Sequence, residues 1–429
     1  MDNLNSIDYL FLYSITLIWI TLLYQVLLSY SGFIYFLKTN DKRFDILDKI
    51  NKFTDWPPVS ILIPAHNEEK VILKTVSSLL NLNYPSDKLE IIVINDNSTD
   101  NTKNILLDIC KTTDKNLKII NTTPLNGGKG KSNALNIGFK SSNSDFIAVY
   151  DADNTPNSMA LRYLIYTLVS NDTYAAVIGK FRTRNKSRNL LTKFINIETL
   201  SFQWLSQGGR WFLFNLATIP GTNFVIRRSI LDKLNGWDVK AIAEDTEISI
   251  RIYQMGYKIC FMPLAITWEQ EPETLKVWFN QRLRWVKGNL YVIHKYIPKI
   301  FKLKKLKLTL DLIYFFSTYL LFLSSIIISD TIFILGIIST IFGYSSLKIS
   351  IEGNFLVIWI MAYILFILEI SIVLTFEKGE NKIKNVFYIC IMYFTYCQLW
   401  ILLGLKGIYE YIKDLIFKKE VKWNKTQRF

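Results

Sequence analysis

The 429-residue sequence is poor in histidine and cysteine, the side chains from which most protein zinc sites are built. Its two histidines, His66 and His294, are too few for a histidine-based zinc site. The cysteines lack the spacing of metal-binding motifs, and we expect them to be free, buried thiols. They are Cys110, Cys260, Cys390 and Cys397. The composition therefore argues against a zinc protein.

Long uncharged runs are absent from the middle of the chain, between Lys38 and Leu310. Near the two ends, residues 9–37, 312–329, 355–376 and 386–405 approach or exceed the roughly 20 apolar residues that a helix needs to cross a bilayer. A shorter run, 331–347, follows Asp330. We expect one membrane helix, then a large aqueous domain, then three or four membrane helices.

The first run lacks a basic segment before it and is longer than the apolar core of a cleaved signal peptide, so we expect a retained anchor. Basic residues cluster at 38–52, 299–307 and 418–428. Because cytoplasmic loops are enriched in Lys and Arg, all three clusters are expected in the cytoplasm. With five crossings all three clusters lie in the cytoplasm, and with four crossings they do not. Five crossings also place the lysines of residues 378–384 outside.

Three parts are therefore predicted, in a multi-pass protein of the plasma membrane. They are an N-terminal transmembrane helix over residues 1–40, a cytoplasmic domain over 41–300, and a C-terminal bundle with a basic cytoplasmic tail over 301–429. The net charge of +14 is concentrated beside the apolar runs, which indicates contact with anionic lipids and not with nucleic acid.

From Val59 onward, short apolar strands alternate with amphipathic helices, a rhythm that predicts a parallel sheet covered by helices on both faces. Ligands of such sheets bind beyond the carboxyl ends of the strands. The expected strands are residues 59–63, 90–94, 117–120 and 146–150, and the expected helices are 68–82, 102–110 and 132–140. Three strands are followed by polar clusters: PAHNEE (64–69), NDNSTD (95–100) and DADN (151–154). Their placement predicts one ligand site.

The DADN cluster ends a buried strand on two like charges, Asp151 and Asp153, with only Ala152 between them. Carboxylates this close repel each other, so a cation is expected beside them. A divalent metal ion is the simplest candidate.

A glycine-rich stretch, NGGKGKSNALN at residues 126–136, opens the helix before that strand. Its glycines allow backbone N–H groups to approach phosphate oxygens, and Lys129 and Lys131 add positive charge. It lacks the spacing of a P-loop or a dinucleotide fingerprint, and alone it would be an ordinary turn. Together with the acidic pair, it predicts a ligand that contains phosphate and a divalent metal.

The segment AEDTEISIRIYQMGYK, residues 243–258, places Glu244, Asp245 and Glu247 at a helix start. Acidic residues are common there because the helix dipole favours them, so any one of the three is more easily explained as structural than as functional.

The segment VWFNQRLRWVKG, residues 277–288, places Gln281, Arg284 and Trp285 on overlapping faces of one helix. The planar arginine fork suits diphosphate oxygens, and an indole face suits a sugar ring. A basic amphipathic helix on the membrane surface is a compatible reading. The stretch 190–214, with Trp204 and Trp211, is also expected at that surface.

Taken in order, these clusters resemble the family 2 glycosyltransferases, specifically the membrane-embedded, processive synthases of cellulose, chitin, hyaluronan and poly-N-acetylglucosamine. The resemblance extends over residues 59–288. The family pattern is an aspartate cluster after the second strand, a D-x-D pair, a T-E-D triplet and Q-x-x-R-W. The counterparts here are Asp96, Asp151 with Asp153, the residues 243–245, and Gln281 with Arg284 and Trp285. The layout of apolar runs resembles that of the poly-N-acetylglucosamine synthases.

This resemblance implies an α/β GT-A domain, the Rossmann-like fold of nucleotide-diphospho-sugar transferases, beside an α-helical transmembrane bundle of about five spans. It implies a hexosyltransferase that uses a UDP-sugar and Mg²⁺ or Mn²⁺, inverts the sugar linkage, and extends an extracellular polysaccharide that it moves across the membrane. The implied partners are the donor, a polysaccharide or lipid acceptor, membrane lipids and an accessory membrane subunit, without nucleic acid.

Roles for individual residues follow from the same resemblance. The implied donor-nucleotide contacts are Pro64, Ala65, Glu68, Asp96, Lys131, Asp151, Gln281 and Arg284. The implied metal ligands are Asp153 and Asp151. The implied catalytic pair is Asp245, as general base, with Glu244, and the implied acceptor contacts are Trp285, Gly221 and Thr222. The chain departs from the pattern at Asn95, where many relatives carry aspartate, and at Ala243, which replaces a threonine.

Two alternatives stay open. A non-processive enzyme that adds one sugar to diacylglycerol or a polyprenyl phosphate would use the same donor site. A transporter or scaffold that only binds nucleotide sugars would need no base, so Asp245 and the D-x-D carboxylates argue against it. Glu369, inside an apolar run, is expected either to line a polar path or to pack as a neutral side chain.

Overall fold

The computed structural model describes residues 5–302, 306–342, 355–417 and 427. The basic residues of the expected C-terminal tail lie outside the described residues, as do residues 343–347 of the short apolar run.

Within the described residues, eight strands form one sheet in the order β3-β2-β1-β4-β7-β6-β8-β5. The strands are β1 (Val59–Ala65), β2 (Leu89–Asn95), β3 (Leu117–Asn121), β4 (Phe146–Val149), β5 (Thr155–Pro156), β6 (Tyr174–Thr183), β7 (Phe224–Arg227) and β8 (Lys258–Glu269). The four predicted strands are confirmed as β1 to β4, and they pair in parallel. Strand β7 runs antiparallel to both β4 and β6, so the sheet is mixed.

Sixteen α-helices occur in the described ranges. They are α1 (Ser6–Asp41), α2 (Arg43–Lys52), α3 (Ile72–Leu80), α4 (Thr102–Thr112), α5 (Lys131–Lys140), α6 (Ala160–Val169), α7 (Leu190–Ser201), α8 (Arg210–Phe214), α9 (Arg228–Leu234), α10 (Glu244–Gln254), α11 (Leu275–Tyr296), α12 (Leu306–Ser317), α13 (Leu323–Phe342), α14 (Phe355–Thr375), α15 (Ile383–Phe394) and α16 (Tyr396–Ile416).

The centre of the sheet is buried on both faces. Ile61, Leu62 and Ile63 of β1 are fully buried, as are Ile147 and Ala148 of β4. Strands whose two faces are both apolar require helices on both sides, and each fully buried Ile or Leu contributes about 1.5–3 kcal/mol to folding. The result is a rigid platform whose polar strand ends keep a fixed geometry.

Four helical segments of the described part are long and apolar enough to cross a membrane. They are Ser6–Asp41, Leu306–Ser339, Val357–Thr375 and Ile383–Ile416. A π-helical segment, Thr318–Phe322, joins α12 to α13 without a loop, so residues 331–342 continue the helix of run 312–329. Within the described residues, the short run that follows Asp330 is therefore a continuation of the preceding helix and not a separate helix. Asp330 alone separates the two runs, and one charged residue does not end a helix as proline does.

The predicted run 386–405 is divided at Thr395, whose φ of −121° and ψ of −76° are not helical. The preceding helix, α15, has 12 residues and is therefore about 18 Å long, which is shorter than a bilayer core of about 30 Å. Tyr388 of α15 contacts Lys193 of α7, and Lys287 of α11 pairs with Asp414 of α16 at 2.6 Å. Both helices thus lie along helices of the aqueous domain.

The turn between α14 and α15 docks on the sheet. The Glu377 carboxylate bonds to Lys180 of β6 and accepts a 2.8 Å hydrogen bond from Trp204. The carbonyl of Lys378 lies 3.4 Å from the guanidinium of Arg182, also on β6. The expectation that residues 378–384 lie on the side opposite the aqueous domain is therefore wrong.

The stretch 190–214 is helical: α7 and α8 are joined by a π-helical segment, Phe202–Gly209. Trp204 and Trp211 are buried in the protein. Glu369 of α14 is 4 % exposed, and its Oε1 has no hydrogen-bond partner among the described residues. This places the carboxyl toward the protein interior, which fits both readings of that residue.

Candidate active site

The polar clusters meet at one edge of the sheet, as their placement predicted. The ends of β1 and β2 are paired, with Ala65 opposite Asn95, and the backbone N–H of Asp96 donates to the carbonyl of Ala65 over 2.7 Å. Strand β4 pairs with the other side of β1 and leads directly to Asp151. Pro64 lies at the end of β1 beside them, and the backbone of Glu68 is held by the hydroxyl of Thr102 at 2.8 Å.

Lys131 is the centre of the site. Its Nζ lies 2.6 Å from Asp151 Oδ1 and 3.4 Å from Glu244 Oε1, and it donates to the carbonyl of Gly221 over 2.8 Å. Burial alone would lower the pKa of Lys131, but the carboxylates of Asp151 and Glu244 raise it, so the ammonium stays charged. The ammonium of Lys131 thus links the D-x-D turn to the start of α10.

Asp245 lies beside this cluster. Burial, and then the negative charge of Glu244, raise the pKa of Asp245 to about 7, while Lys131 acts in the opposite direction. A Cβ added to Gly221, whose φ is +79°, would lie 3.0 Å from Asp245 Oδ2. The backbone of Gly221 therefore comes close to the carboxylate.

The glycine-rich loop is built against Asp96. The backbone N–H of Gly128 and the hydroxyl of Thr122 both donate to Asp96 Oδ1 over 2.8 Å. A Cβ at Gly127 would lie 2.5 Å from the same oxygen, a distance that excludes any side chain. Asp96 thus holds in place the loop that leads to Lys131.

The D-x-D turn is braced by Thr222. Its hydroxyl accepts the backbone N–H of Asp151 over 3.0 Å and donates to Asn154 Oδ1 over 2.7 Å. Thr222 is 3 % exposed. These contacts indicate support of the turn, whereas an acceptor contact of Thr222 stays a prediction.

Two glutamates that we did not single out in the sequence lie next to Asp153. The backbone N–H of Gln270 donates to Asp153 Oδ2 over 3.3 Å, and Glu269 and Glu271 flank that residue at the end of β8. Burial, and then the charges of Glu271, Asp153 and Asp151, raise the pKa of Glu269 well above its usual value. In the sequence, the acidic segment WEQE at the end of an apolar run could have indicated these two glutamates.

The residues present fit a divalent cation that shares its coordination with a ligand. No group of three or more His, Cys, Asp or Glu side chains is arranged to hold a metal in the described part of the chain. Mg²⁺ commonly binds through one or two protein carboxylates and completes its shell with phosphate oxygens and water. Asp151 and Asp153 would supply those carboxylates, and a cation there would offset the repulsion that, after burial, raises the pKa of the neighbouring Glu269.

Helix α11 packs on the start of α10. A Cβ at Gly288 would lie 2.9 Å from the backbone nitrogen of Ala243, the residue before Glu244. Arg284 and Trp285 lie one helical turn before Gly288 and so face the same side. Trp285 is 43 % exposed. The Q-x-x-R-W segment is therefore adjacent to the predicted catalytic pair.

Glu247, the third acidic residue at the start of α10, is structural. It is fully buried and bonds to Arg251 at 2.8 Å, to Lys295 at 2.7 Å and to the hydroxyl of Tyr296 at 2.9 Å. It holds α10 against α11, away from Lys131.

Residues 60–234 match the family model described as "Glycosyl transferase family 2". The chain is 50 % identical over 420 residues to the "Probable glycosyltransferase YdaM" of Bacillus subtilis (strain 168), covering 98 % of each chain. It is 30 % identical over 397 residues to a poly-beta-1,6-N-acetyl-D-glucosamine synthase of Staphylococcus epidermidis, covering 90 % of this chain and 91 % of the relative.

A solved structure, the mannosyltransferase PcManGT from Pyrobaculum calidifontis in complex with GDP-Man and Mn²⁺, superposes with a TM-score of 0.53 at 17 % identity. The match covers 87 % of this chain and 98 % of that chain. It confirms the GT-A fold that the resemblance implied. The chain belongs to glycosyltransferase family 2, with a GT-A domain joined to several apolar helices.

Proposed function

We propose that the protein is an inverting β-glycosyltransferase that transfers a sugar from a UDP-sugar to a growing extracellular polysaccharide and moves the polymer across the membrane. The observation that carries this proposal is the convergence of Asp151, Glu244 and Asp245 on Lys131. A binding protein would need no third carboxylate there. The relatives named as poly-β-1,6-N-acetylglucosamine synthases support a β-linked polysaccharide as the product.

The donor lies across the polar edge of the sheet. Pro64, Ala65, Glu68 and Asp96 hold the nucleoside, and Lys131, Gln281 and Arg284 hold the diphosphate. Asp153 and Asp151 would hold Mg²⁺ or Mn²⁺. When bound, the ion stabilises the negative charge that develops on the departing nucleoside diphosphate.

Asp245 accepts the proton of the acceptor hydroxyl. A base is most effective when its pKa lies near the working pH, and the raised pKa of about 7 meets this condition. Glu244, held by Lys131, fixes the start of α10 and keeps the pKa of its neighbour high. Attack from the side opposite the leaving group gives a β linkage from an α-linked donor.

The acceptor sugar stacks on the exposed face of Trp285 and passes close to Gly221. Trp285 exposes 43 % of its surface and lies one turn from the contact between Gly288 and Ala243. An indole has the flat apolar face that a pyranose ring requires.

The membrane is crossed three times, by α1, by the continuous α12–α13 helix and by α14. The docking of Glu377 and Lys378 on β6 supports this arrangement, because it returns the chain to the catalytic side after α14. Helices α15 and α16 then lie at the membrane surface along α7 and α11. All basic clusters, including residues 378–384, are then cytoplasmic, as the positive-inside rule requires. The catalytic domain is cytoplasmic too.

The test is incubation of membranes that contain the protein with several radiolabelled UDP-sugars and either Mg²⁺ or Mn²⁺, followed by sizing of the product. A polymer or ladder is expected, and its formation must slow by about 10²–10⁴-fold in Asp245→Asn but not in the surface control Asp232→Asn. A single labelled lipid would support the non-processive alternative. Nucleotide-sugar binding without transfer would contradict an enzyme.

A further inference from the structure

Arg282 lies within the Q-x-x-R-W segment but is buried, with 1 % of its surface exposed. Its NH1 donates to Gln281 Oε1 over 2.8 Å. Its guanidinium covers one face of the Trp285 ring, with the guanidinium carbon 3.9 Å from the ring centroid. One side chain thus contacts two residues of the motif, and 43 % of the surface of Trp285 remains exposed.

Arg282 is itself anchored by a residue of α7. Its NH2 donates to Glu198 Oε2 over 2.7 Å. Burial would lower the pKa of Arg282, but the charge of Glu198 raises it, so the guanidinium remains a cation. A planar guanidinium can bond a carboxylate and stack on an indole at the same time, which an ammonium cannot.

The anchor continues into α16. The hydroxyl of Tyr396, the first residue of that helix, donates to the same Glu198 Oε2 over 2.7 Å. The indole N–H of Trp278 donates to the Tyr396 hydroxyl over 2.8 Å. A chain of hydrogen bonds therefore runs from Tyr396 through Glu198 to Arg282.

We propose that Arg282 is a positioning residue that holds Trp285 for the acceptor, and that Tyr396 sets the orientation of Arg282 through Glu198. The start of α16 then governs the geometry of the acceptor contact, although it touches no substrate. This inference rests on the proposed function, since it takes Trp285 to be the acceptor platform.

Tyr396→Phe is the sharpest test, because it removes only the hydroxyl that donates to Glu198 and accepts from Trp278, and leaves both partners of the Arg282–Glu198 ion pair in place. Tyr411→Phe is the matched control: its hydroxyl also joins α16 to α11, through His294 at 2.9 Å, but it has no contact with Arg282. Arg282→Lys keeps the charge while losing the stacking and the fork. Each variant is assayed in membranes for kcat, for KM of the UDP-sugar and for product length.

We expect Tyr396→Phe to lower kcat about tenfold, the effect of losing one hydrogen bond to a charged group, and to shorten the product without changing KM for the donor. Arg282→Lys is expected to lower kcat and to shorten the product more strongly. The double variant should lose no more than Arg282→Lys alone, because both changes break one chain. Tyr411→Phe should match the wild type.

A readout independent of transfer separates this inference from the proposed function. In protein labelled with 5-fluorotryptophan, the ¹⁹F resonance that disappears in Trp285→Phe reports Trp285. Tyr396→Phe must shift that resonance and Tyr411→Phe must not. An unshifted resonance, or a shift without any change in kcat or product length, would overturn the positioning role. If Tyr396→Phe shifts the Trp285 resonance but the wild-type protein transfers no sugar, the proposed function is contradicted instead.

Discussion

Gly288 of α11 lies against Ala243, so closely that a Cβ on the glycine would be 2.9 Å from the Ala243 backbone nitrogen. This contact joins two segments that are distant in the chain: the Q-x-x-R-W helix and the start of the acidic helix. The spacing between Trp285, which is to hold the acceptor, and Asp245, which is to activate it, depends on this contact.

Gly288→Ala should therefore reduce transfer by at least tenfold, because the added methyl group pushes α11 away from α10. Alanine in place of a helical glycine ordinarily stabilises a protein by about 0.5–1 kcal/mol, so a loss of activity would not follow from helix propensity. The control is Gly336→Ala, where a Cβ meets no atom within 4 Å. Equal rates for Gly288→Ala and wild type would show that this spacing is unimportant.

The rate of transfer should rise as the pH passes upward through about 7, since Asp245 must be deprotonated to accept a proton. Asp245→Asn should remove a factor of about 10²–10⁴ in kcat and abolish this pH dependence. Binding of UDP, measured by calorimetry, should persist. A variant that retained the wild-type rate would contradict the assignment of the base.

Asp245→Asn should also raise the melting temperature of the protein at pH 8. The folded-state pKa of Asp245 is raised from 3.8 to about 7, so stability falls as the pH rises through this range and the buried carboxylate ionises. An asparagine side chain does not ionise, so the variant does not lose stability in this way. At pH 4 both side chains are neutral in the folded protein, and the melting temperatures of wild type and variant should converge.

Lys131→Met should move the pH dependence of the rate upward, because Lys131 is the cation that lowers the pKa of Asp245. The variant should also transfer slowly at every pH, since Asp151 and Glu244 lose the charge that lies between them. Lys140→Met is the matched control, because Lys140 lies at the other end of α5 and is exposed. A rate profile of Lys131→Met that rises at the wild-type pH would contradict this electrostatic coupling.

The polar edge of the sheet could be predicted from the sequence because its signals are local. Each strand is a short apolar run, and Asp96 and Asp151 follow directly where such runs end. The contacts between these clusters could not be predicted in the same way. Lys131, Asp151 and Glu244 come together only through tertiary packing, and the close approach of Gly288 to Ala243 leaves no periodic pattern.

Other features carried no local signal at all. Neither proline nor glycine lies next to Thr395, so the break between α15 and α16 looks like continuous apolar sequence. Strand β7 is four residues long and joins the sheet antiparallel, contrary to the rhythm of the preceding strands. Arg282 looks like one more basic residue of an amphipathic helix, because its partners Glu198 and Tyr396 are far away in the chain.

Three crossings place the turn after α14 in the cytoplasm, whereas five crossings with a separate span at 331–347 place it outside. In a variant without native cysteines, Lys382→Cys should therefore react with a membrane-impermeant maleimide in inverted vesicles and not in intact cells. Lys42→Cys, at the end of α1, reports the cytoplasmic side, and Phe342→Cys, at the end of α13, reports the outside. Labelling of Lys382→Cys together with Phe342→Cys in intact cells would contradict the docking of Glu377 on Lys180, because that ion pair requires the turn and the catalytic domain to share one side of the membrane.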